Sequence, residues 1–125
     1  MKGRAVVMPI QVVLAGLPQP LQDELERDLA RDADLAVRCT GDHLEVLLVV
    51  GETRADAVIL WMPEDDIPGI ATHLAEEYPH LMILAIHIDA QGIRVYELAL
   101  GLVQIGKVPR DALPEVLRAT IRDRD

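Results

Sequence analysis

The sequence is poor in aromatic residues and in cysteine. Its 125 residues include no phenylalanine, and Trp61, Tyr78 and Tyr96 are the only aromatic side chains. A core must therefore be built from aliphatic side chains, as is common where a parallel sheet is covered by helices on both faces. Cys39 is the single cysteine, which excludes an internal disulfide and a paired-cysteine metal or redox motif, and which fits a reducing cytoplasm.

Basic residues are also scarce. The chain has 12 lysines and arginines against 21 aspartates and glutamates, which gives a formal net charge of -9. This balance disfavours binding to nucleic acid, which needs a basic patch, and docking on anionic lipid. No apolar run approaches the roughly 20 residues of a membrane span. We therefore predict a cytoplasmic protein with no nucleic-acid partner and no membrane contact.

The chain is long enough for one domain, and 50% of its residues are hydrophobic, which is sufficient for a folded core. The first nine residues carry Lys2 and Arg4 but no long apolar stretch, so they do not form a convincing signal peptide. We interpret residues 1–9 as a leader, either disordered or partly foreign to the native chain with Met8 as its start. Residues 10–125 are interpreted as the domain.

Strand and helix patterns alternate along this domain. Apolar runs bounded by turn residues predict strands at Ile10–Ala15, Leu35–Arg38, Asp56–Trp61, Leu81–Ile88 and Val103–Val108. Apolar residues spaced by three and four predict helices after Pro20 with Leu21, Leu25 and Leu29, around Leu44, Leu47 and Leu48, from Ile67 to Tyr78, and around Leu113, Leu117 and Ile121.

The segment Ile93–Leu100 fits two interpretations. It is either a strand preceded by a hairpin turn at Asp89–Gly92, or a helix with Ile93, Leu100 and Tyr96 or Glu97 on one side. The βα alternation elsewhere favours the helix. The predicted fold is then α/β and flavodoxin-like: a five-stranded parallel sheet in the order 2-1-3-4-5, with helices on both faces and sites at the carboxyl ends of the strands.

Five segments in this order resemble the response-regulator receiver domain family. They are Val12–Pro20, Ala55–Pro63, Glu77–Ala85, Arg94–Gly101 and Gly106–Pro109, which match the family's first strand and helix, its acceptor strand with a Met-Pro loop, the approach to the fourth strand, the fourth helix, and the Lys-Pro turn. The resemblance covers nearly the whole chain and implies a signalling domain.

The chemical positions depart from the family. Phosphoryl transfer needs a carboxylate nucleophile and acidic ligands that hold Mg²⁺. Here Leu17 and Pro18 stand in place of the acidic pair, and the acceptor position falls on Trp61 or Ile59. The hydroxyl-bearing switch position falls on Ala85 or Ile86. In the place of the family's Lys-Pro pair, Lys107 is separated from Pro109 by Val108. The resemblance therefore implies a pseudo-receiver with no catalytic residue, whose degenerate phosphorylation pocket consists of Leu17, Pro18, Trp61, Ala85 and Lys107.

Other polar residues give weaker signals. The acidic run Glu64–Asp66, with Asp89, could hold a divalent cation, but helix capping is the favoured interpretation. The four histidines, His43, His73, His80 and His87, lack metal-ligand spacing, and His87 in an apolar strand indicates a hydrogen-bonded core residue. Cys39 is interpreted as a small buried side chain. Trp61 is either a binding anchor or a plug for the vacated pocket. We expect no metal and no cofactor.

Two functions follow from these features. The favoured one is a regulatory module that acts through protein–protein contact without phosphorylation. The resemblance implies that such a module pairs with itself or a partner through the fourth helix, fifth strand and last helix, at Ile93, Arg94, Tyr96, Glu97, Leu100, Lys107, Arg110 and Arg118. The alternative is a small-molecule-binding domain with its ligand at the carboxyl edge near Trp61, Asp65 and Lys107. An enzyme is disfavoured because we find neither a nucleophile–base pair nor a metal motif.

Overall fold

The computed structural model describes residues 9–41, 43–63, 69–98 and 102–124. Within them the chain forms one six-stranded sheet in the order β2-β1-β3-β4-β5-β6. The strands are β1 (Ile10–Ala15), β2 (Leu35–Thr40), β3 (Ala57–Trp61), β4 (Met82–Asp89), β5 (Gly92–Leu98) and β6 (Leu102–Val108). The helices are α1 (Gln19–Ala30), α2 (His43–Thr53), α3 (Gly69–Glu77) and α4 (Leu113–Arg124), and a short 3₁₀ turn at Arg110–Ala112 precedes α4.

The α/β class and the parallel arrangement of the first four strands agree with the sequence. Strands β2, β1, β3 and β4 are parallel neighbours, with Val13 beside Val58 and Val58 beside Ile83. Successive apolar residues in these strands are buried on both faces of the sheet, so Val13 and Leu14 are each 0% exposed. Continuous apolar runs are the mark of such doubly covered strands.

The predicted helix at Ile93–Leu100 is wrong, and with it the five-stranded, all-parallel sheet. The part of that segment which the structure describes is strand β5, which pairs antiparallel with β4 and with β6. The turn explains the choice. The Asp89 carboxylate accepts the Gln91 N–H at 2.8 Å, and Gly92 has φ +126°, a conformation that glycine adopts without strain. Beyond it, Ile93 and Val95 alternate into the core.

Two helices cover each face of the sheet. On the face that we call the α1/α4 face, Leu21, Leu25 and Leu29 of α1 pack with Leu113, Leu117 and Ile121 of α4. On the opposite side, the α2/α3 face, the helical contributions are Val46, Val50, Ala71 and Leu74. No helix in the described ranges is long and apolar enough to cross a membrane.

Two arginines of α4 bind the last turn of α1 and the loop that follows it. Arg122 Nη2 lies 2.5 Å from Asp32 Oδ2, and Arg118 Nη2 donates to the Asp28 carbonyl oxygen at 3.0 Å. The hydrogen bond from the Asp34 N–H and the one from Arg122 hold the pKa of the Asp32 carboxyl below its usual range. These contacts link α1 and α4, the two helices of the α1/α4 face.

Candidate functional site

The structure does not assemble the predicted phosphorylation pocket. Leu17 is buried against the α1/α4 face, and Pro18 is the exposed residue that precedes α1. Trp61, half-buried, packs on the same face as Leu17. Ala85 is buried on the other face, where it contacts Met62 and Tyr96. Trp61 and Ala85 therefore lie on opposite sides of the sheet.

Lys107 lies on β6, at the end of the sheet beyond β4 and β5. It lies opposite Arg94 of β5, and Arg94 in turn lies opposite His87 of β4. Strand β6 is therefore three positions from β3, and at about 4.8 Å per spacing Lys107 is on the order of 14 Å from the strand that carries Trp61. A side chain at that distance cannot complete a site at the end of β3.

The residues predicted to form an interface do not share one face. Ile93 and Tyr96 are both buried, Ile93 against the α1/α4 face and Tyr96 beside Met62 on the other. Arg94 is held by Asp89, with 2.5 Å between Nη2 and Oδ2. Arg118 donates to the Asp28 carbonyl oxygen, and Glu97 is half-buried. Leu100 and the side chain of Arg110 lie outside what the structure describes.

His87 is a hydrogen-bonded core residue, as the sequence predicts. It is 6% exposed, and its Nδ1 lies 2.8 Å from the Met62 carbonyl oxygen, so Nδ1 carries the hydrogen of that bond. Its Nε2 lies 3.3 Å from Asp89 Oδ2. The hydrogen bond from the Gln91 N–H and the nearby Arg94 hold the pKa of Asp89 below its usual range. Asp89 therefore has its partners His87, Gln91 and Arg94 within the β4–β5 hairpin.

The predicted cation site depends on residues 64–66, which lie outside the described ranges. Among the residues that the structure describes, no three histidine, cysteine or carboxylate side chains cluster as metal ligands would. Cys39 is half-buried; desolvation, and then the Glu26 carboxylate, raise the pKa of its thiol to about 12. Since the thiolate is the reactive form, Cys39 is a poor nucleophile at neutral pH.

A feature that the sequence interpretation missed lies on the outside of α2. Leu48 is 67% exposed, and it is the one large hydrophobic side chain that is exposed among the described residues. It lies between Glu45 and Glu52, which are also exposed. Their spacing of three and four residues places all three on one stripe of the helix. Helix α2 therefore presents an apolar residue between two carboxylates to the solvent.

Beside this stripe runs a groove between α2 and α3. It has a volume of about 380 Å³ and is lined by Leu47, Leu48, His73, Glu76, Glu77 and Tyr78. A second hollow of about 340 Å³ adjoins it towards the amino ends of the strands. This second hollow, which we call the lower hollow, shares Glu77 and Tyr78 with the groove and is also lined by Arg54, Asp56 and His80.

Tyr78 fixes the walls of the groove. Its hydroxyl donates to the Leu47 carbonyl oxygen at 2.8 Å, and its backbone N–H donates to the Leu74 carbonyl at 2.8 Å. Gly51 makes this crossing possible, because a Cβ there would lie 2.6 Å from Tyr78 Oη. The ring therefore ties the end of α3 to the middle of α2 across the floor of the groove.

One sequence signal points to this surface. Val46–Val50 is five consecutive apolar residues in a helix, more than a single buried face can accept. The prediction placed Leu44, Leu47 and Leu48 on this helix without choosing its buried face. Among the described side chains of α2 the buried ones are Val46 and Val50, and this orientation leaves Leu48 outside.

Comparisons with protein-family models, with curated proteins and with solved structures found no match for this chain.

Proposed function

We propose that this chain is a non-catalytic cytoplasmic regulatory module, related to receiver domains, which binds another protein without being phosphorylated. The contact surface is the groove between α2 and α3. The observation that carries the proposal is the exposure of Leu48, 67%, at the edge of that groove. The relation to receivers is supported by the sequence segments and by the parallel strand order β2-β1-β3-β4.

Independence from phosphorylation is supported by the residues at the carboxyl ends of β1 and β3. Leu17, Pro18 and Trp61 offer no carboxylate for phosphoryl transfer or for Mg²⁺. The aspartate nearest to β3 in sequence, Asp56, precedes the strand. Its carboxylate accepts the Gln11 N–H at 2.8 Å, at the opposite edge of the sheet.

Binding at the groove is supported by its shape and composition. An isolated exposed leucine is common on protein surfaces. Leu48, however, adjoins a concave strip that contains Leu47 and the ring of Tyr78, and apolar and aromatic anchors in pockets dominate protein–protein affinity. The α1/α4 face, by contrast, is closed by α4 and its arginines.

Affinity capture from native cells tests the proposal, with wild type, Leu48→Ser and the exposed control Arg27→Ser as baits. We expect a partner that wild type and the control retain and that Leu48→Ser loses, with no loss of bait stability. A partner retained equally by all three baits refutes the proposal that the groove is the contact surface. Intact-mass analysis after treatment with acetyl phosphate and Mg²⁺ should show no added phosphoryl group; an adduct on an aspartate refutes phosphorylation independence.

The lower hollow supports a second candidate, a small-molecule-binding domain. Its volume of about 340 Å³ is within the range of small-ligand pockets, and Arg54, Asp56 and His80 supply polar groups. This location replaces the carboxyl edge near Trp61, Asp65 and Lys107. Thermal unfolding in the presence of a small-metabolite library tests it: a saturable stabilisation that is lost in Arg54→Ala would favour the ligand over the protein partner.

A further inference from the structure

We infer that the partner segment which occupies the α2/α3 groove is amphipathic and basic, with an apolar residue against Leu48 and lysine or arginine side chains on both sides of it. This inference rests on the proposed function and names the chemistry of the partner.

Carboxylates lie along the groove and on both sides of Leu48. Glu76 and Glu77 line it, and Glu45 and Glu52 lie one turn before and one turn after Leu48 on the outer stripe of α2. All four are exposed. Neither an arginine nor a lysine is among the residues that line the groove, and Arg54 lines the adjoining lower hollow. An apolar residue flanked by like charges favours a partner with the opposite charge pattern.

These carboxylates are available for a partner. In the described part of the chain the ion pairs lie elsewhere, within the β4–β5 hairpin, in α1 and its following loop, and at α4. Glu52, Glu76 and Glu77 belong to none of them. Glu45 accepts a hydrogen bond from the Thr40 hydroxyl at 2.9 Å, which leaves its second oxygen for another donor.

The same charges disfavour a second copy of this chain as the occupant. A twofold contact places the same patch of both copies face to face, so the carboxylates around one Leu48 would meet those around the other. The net charge of -9 adds long-range repulsion. These carboxylates would attract a basic partner segment, whereas they would repel a second copy of the chain.

The test uses a defined probe: a fluorescein-labelled peptide with leucines at helical spacing and lysines elsewhere, and the same pattern with glutamates in place of the lysines. Anisotropy titrations are done at physiological salt. We expect saturable one-to-one binding of the lysine peptide alone. Leu48→Ser should weaken it about tenfold or more, as expected for an anchor residue. Glu76→Gln/Glu77→Gln should weaken it about five- to tenfold, as expected for two rim charges.

The matched control is Asp23→Asn/Asp111→Asn, which changes the net charge equally at exposed positions on α1 and on the turn before α4. It should alter affinity less than twofold. If it weakens binding as much as the groove variant, the peptide senses only net charge and the inference is wrong. Absence of lysine-peptide binding also overturns the inference, while a native partner lost by Leu48→Ser would still support the proposed function. Sedimentation that shows a wild-type dimer dissociated by Leu48→Ser would identify a second copy as the occupant and overturn the inference.

Discussion

Gly51 and Tyr78 should show strong energetic coupling. Gly51→Ala should destabilise the wild type but stabilise the Tyr78→Phe variant. In the interior of a helix, alanine is more favourable than glycine by about 0.5 to 1 kcal/mol. In this chain, however, a Cβ at position 51 would lie 2.6 Å from Tyr78 Oη, so the ring must shift. That shift breaks the bond to the Leu47 carbonyl, worth about 0.5 to 1.5 kcal/mol, and adds crowding of about 1 kcal/mol.

The net effect of Gly51→Ala in wild type is then a loss of about 1 kcal/mol. In the Tyr78→Phe background the hydroxyl is absent, and the nearest ring carbons lie 3.6 and 3.9 Å from the added Cβ, which is ordinary van der Waals contact. There Gly51→Ala should stabilise the protein by its full helix propensity. The coupling free energy is therefore about 2 kcal/mol, within the range seen for residues in contact.

Urea unfolding of wild type, the two single variants and the double variant measures this coupling, provided that the m values agree. Gly69→Ala in α3 is the control, because nothing lies within 4 Å of an added Cβ there; its effect should add to that of Tyr78→Phe. The reasoning is refuted if Gly51→Ala changes the free energy of unfolding equally in both backgrounds.

Four further variants and measurements test other parts of the fold. Leu117→Ala removes a side chain that is 0% exposed and should cost about 2 to 5 kcal/mol in urea unfolding; a smaller loss contradicts the packing of α4 on α1. Arg54 follows α2 at φ 53°, so Arg54→Gly should stabilise by about 0.5 to 1 kcal/mol, since the left-handed conformation is costly for arginine. The Cys39 thiol should react far more slowly with a disulfide reagent at pH 8 in the native protein than in urea. Its pKa, raised to about 12, contributes stability that is full below the unfolded-state pKa and is lost as the pH rises from there towards 12. Because the pKa of Asp32 is lowered, its contribution is present above the unfolded-state pKa and lost as the pH falls through the folded value; Asp32→Asn should remove that part of the acid dependence of unfolding.

The parallel half of the fold could be predicted because its signals are redundant. Val12–Ala15 and Ala57–Leu60 are uninterrupted apolar runs that only a doubly covered strand buries completely. Segment 93–100 carried conflicting signals. Its apolar residues fit both the period of a strand and that of a helix over so short a length. The alternation of the preceding elements decided for a helix, although Gly92 and the β-branched Ile93 and Val95 indicated a hairpin.

The candidate site was harder to predict, because it depends on contacts between distant residues. The hydrogen bond from Tyr78 to the Leu47 carbonyl spans 31 positions, and no local pattern encodes it. The exposure of Leu48 depends on the rotation of α2, which five consecutive apolar residues leave open. The position of Lys107 depends on the strand count, so the error at β5 carried over to the predicted pocket.

Strand β5 gives a physical reason for the proposed placement of function on the α2/α3 face. It separates β6 from β4, so Lys107 cannot reach the end of β3, where the sequence predicted a degenerate phosphorylation pocket. It also engages the polar groups near that end of the sheet, because His87 and Arg94 both lie against Asp89. The α1/α4 face is closed by the leucines of two helices and by Asp32 with its two arginines. The groove between α2 and α3 is independent of both features. There Leu48 is exposed beside carboxylates that join none of the ion pairs in the described part of the chain, and the proposed binding function needs none of the residues of the predicted phosphorylation pocket.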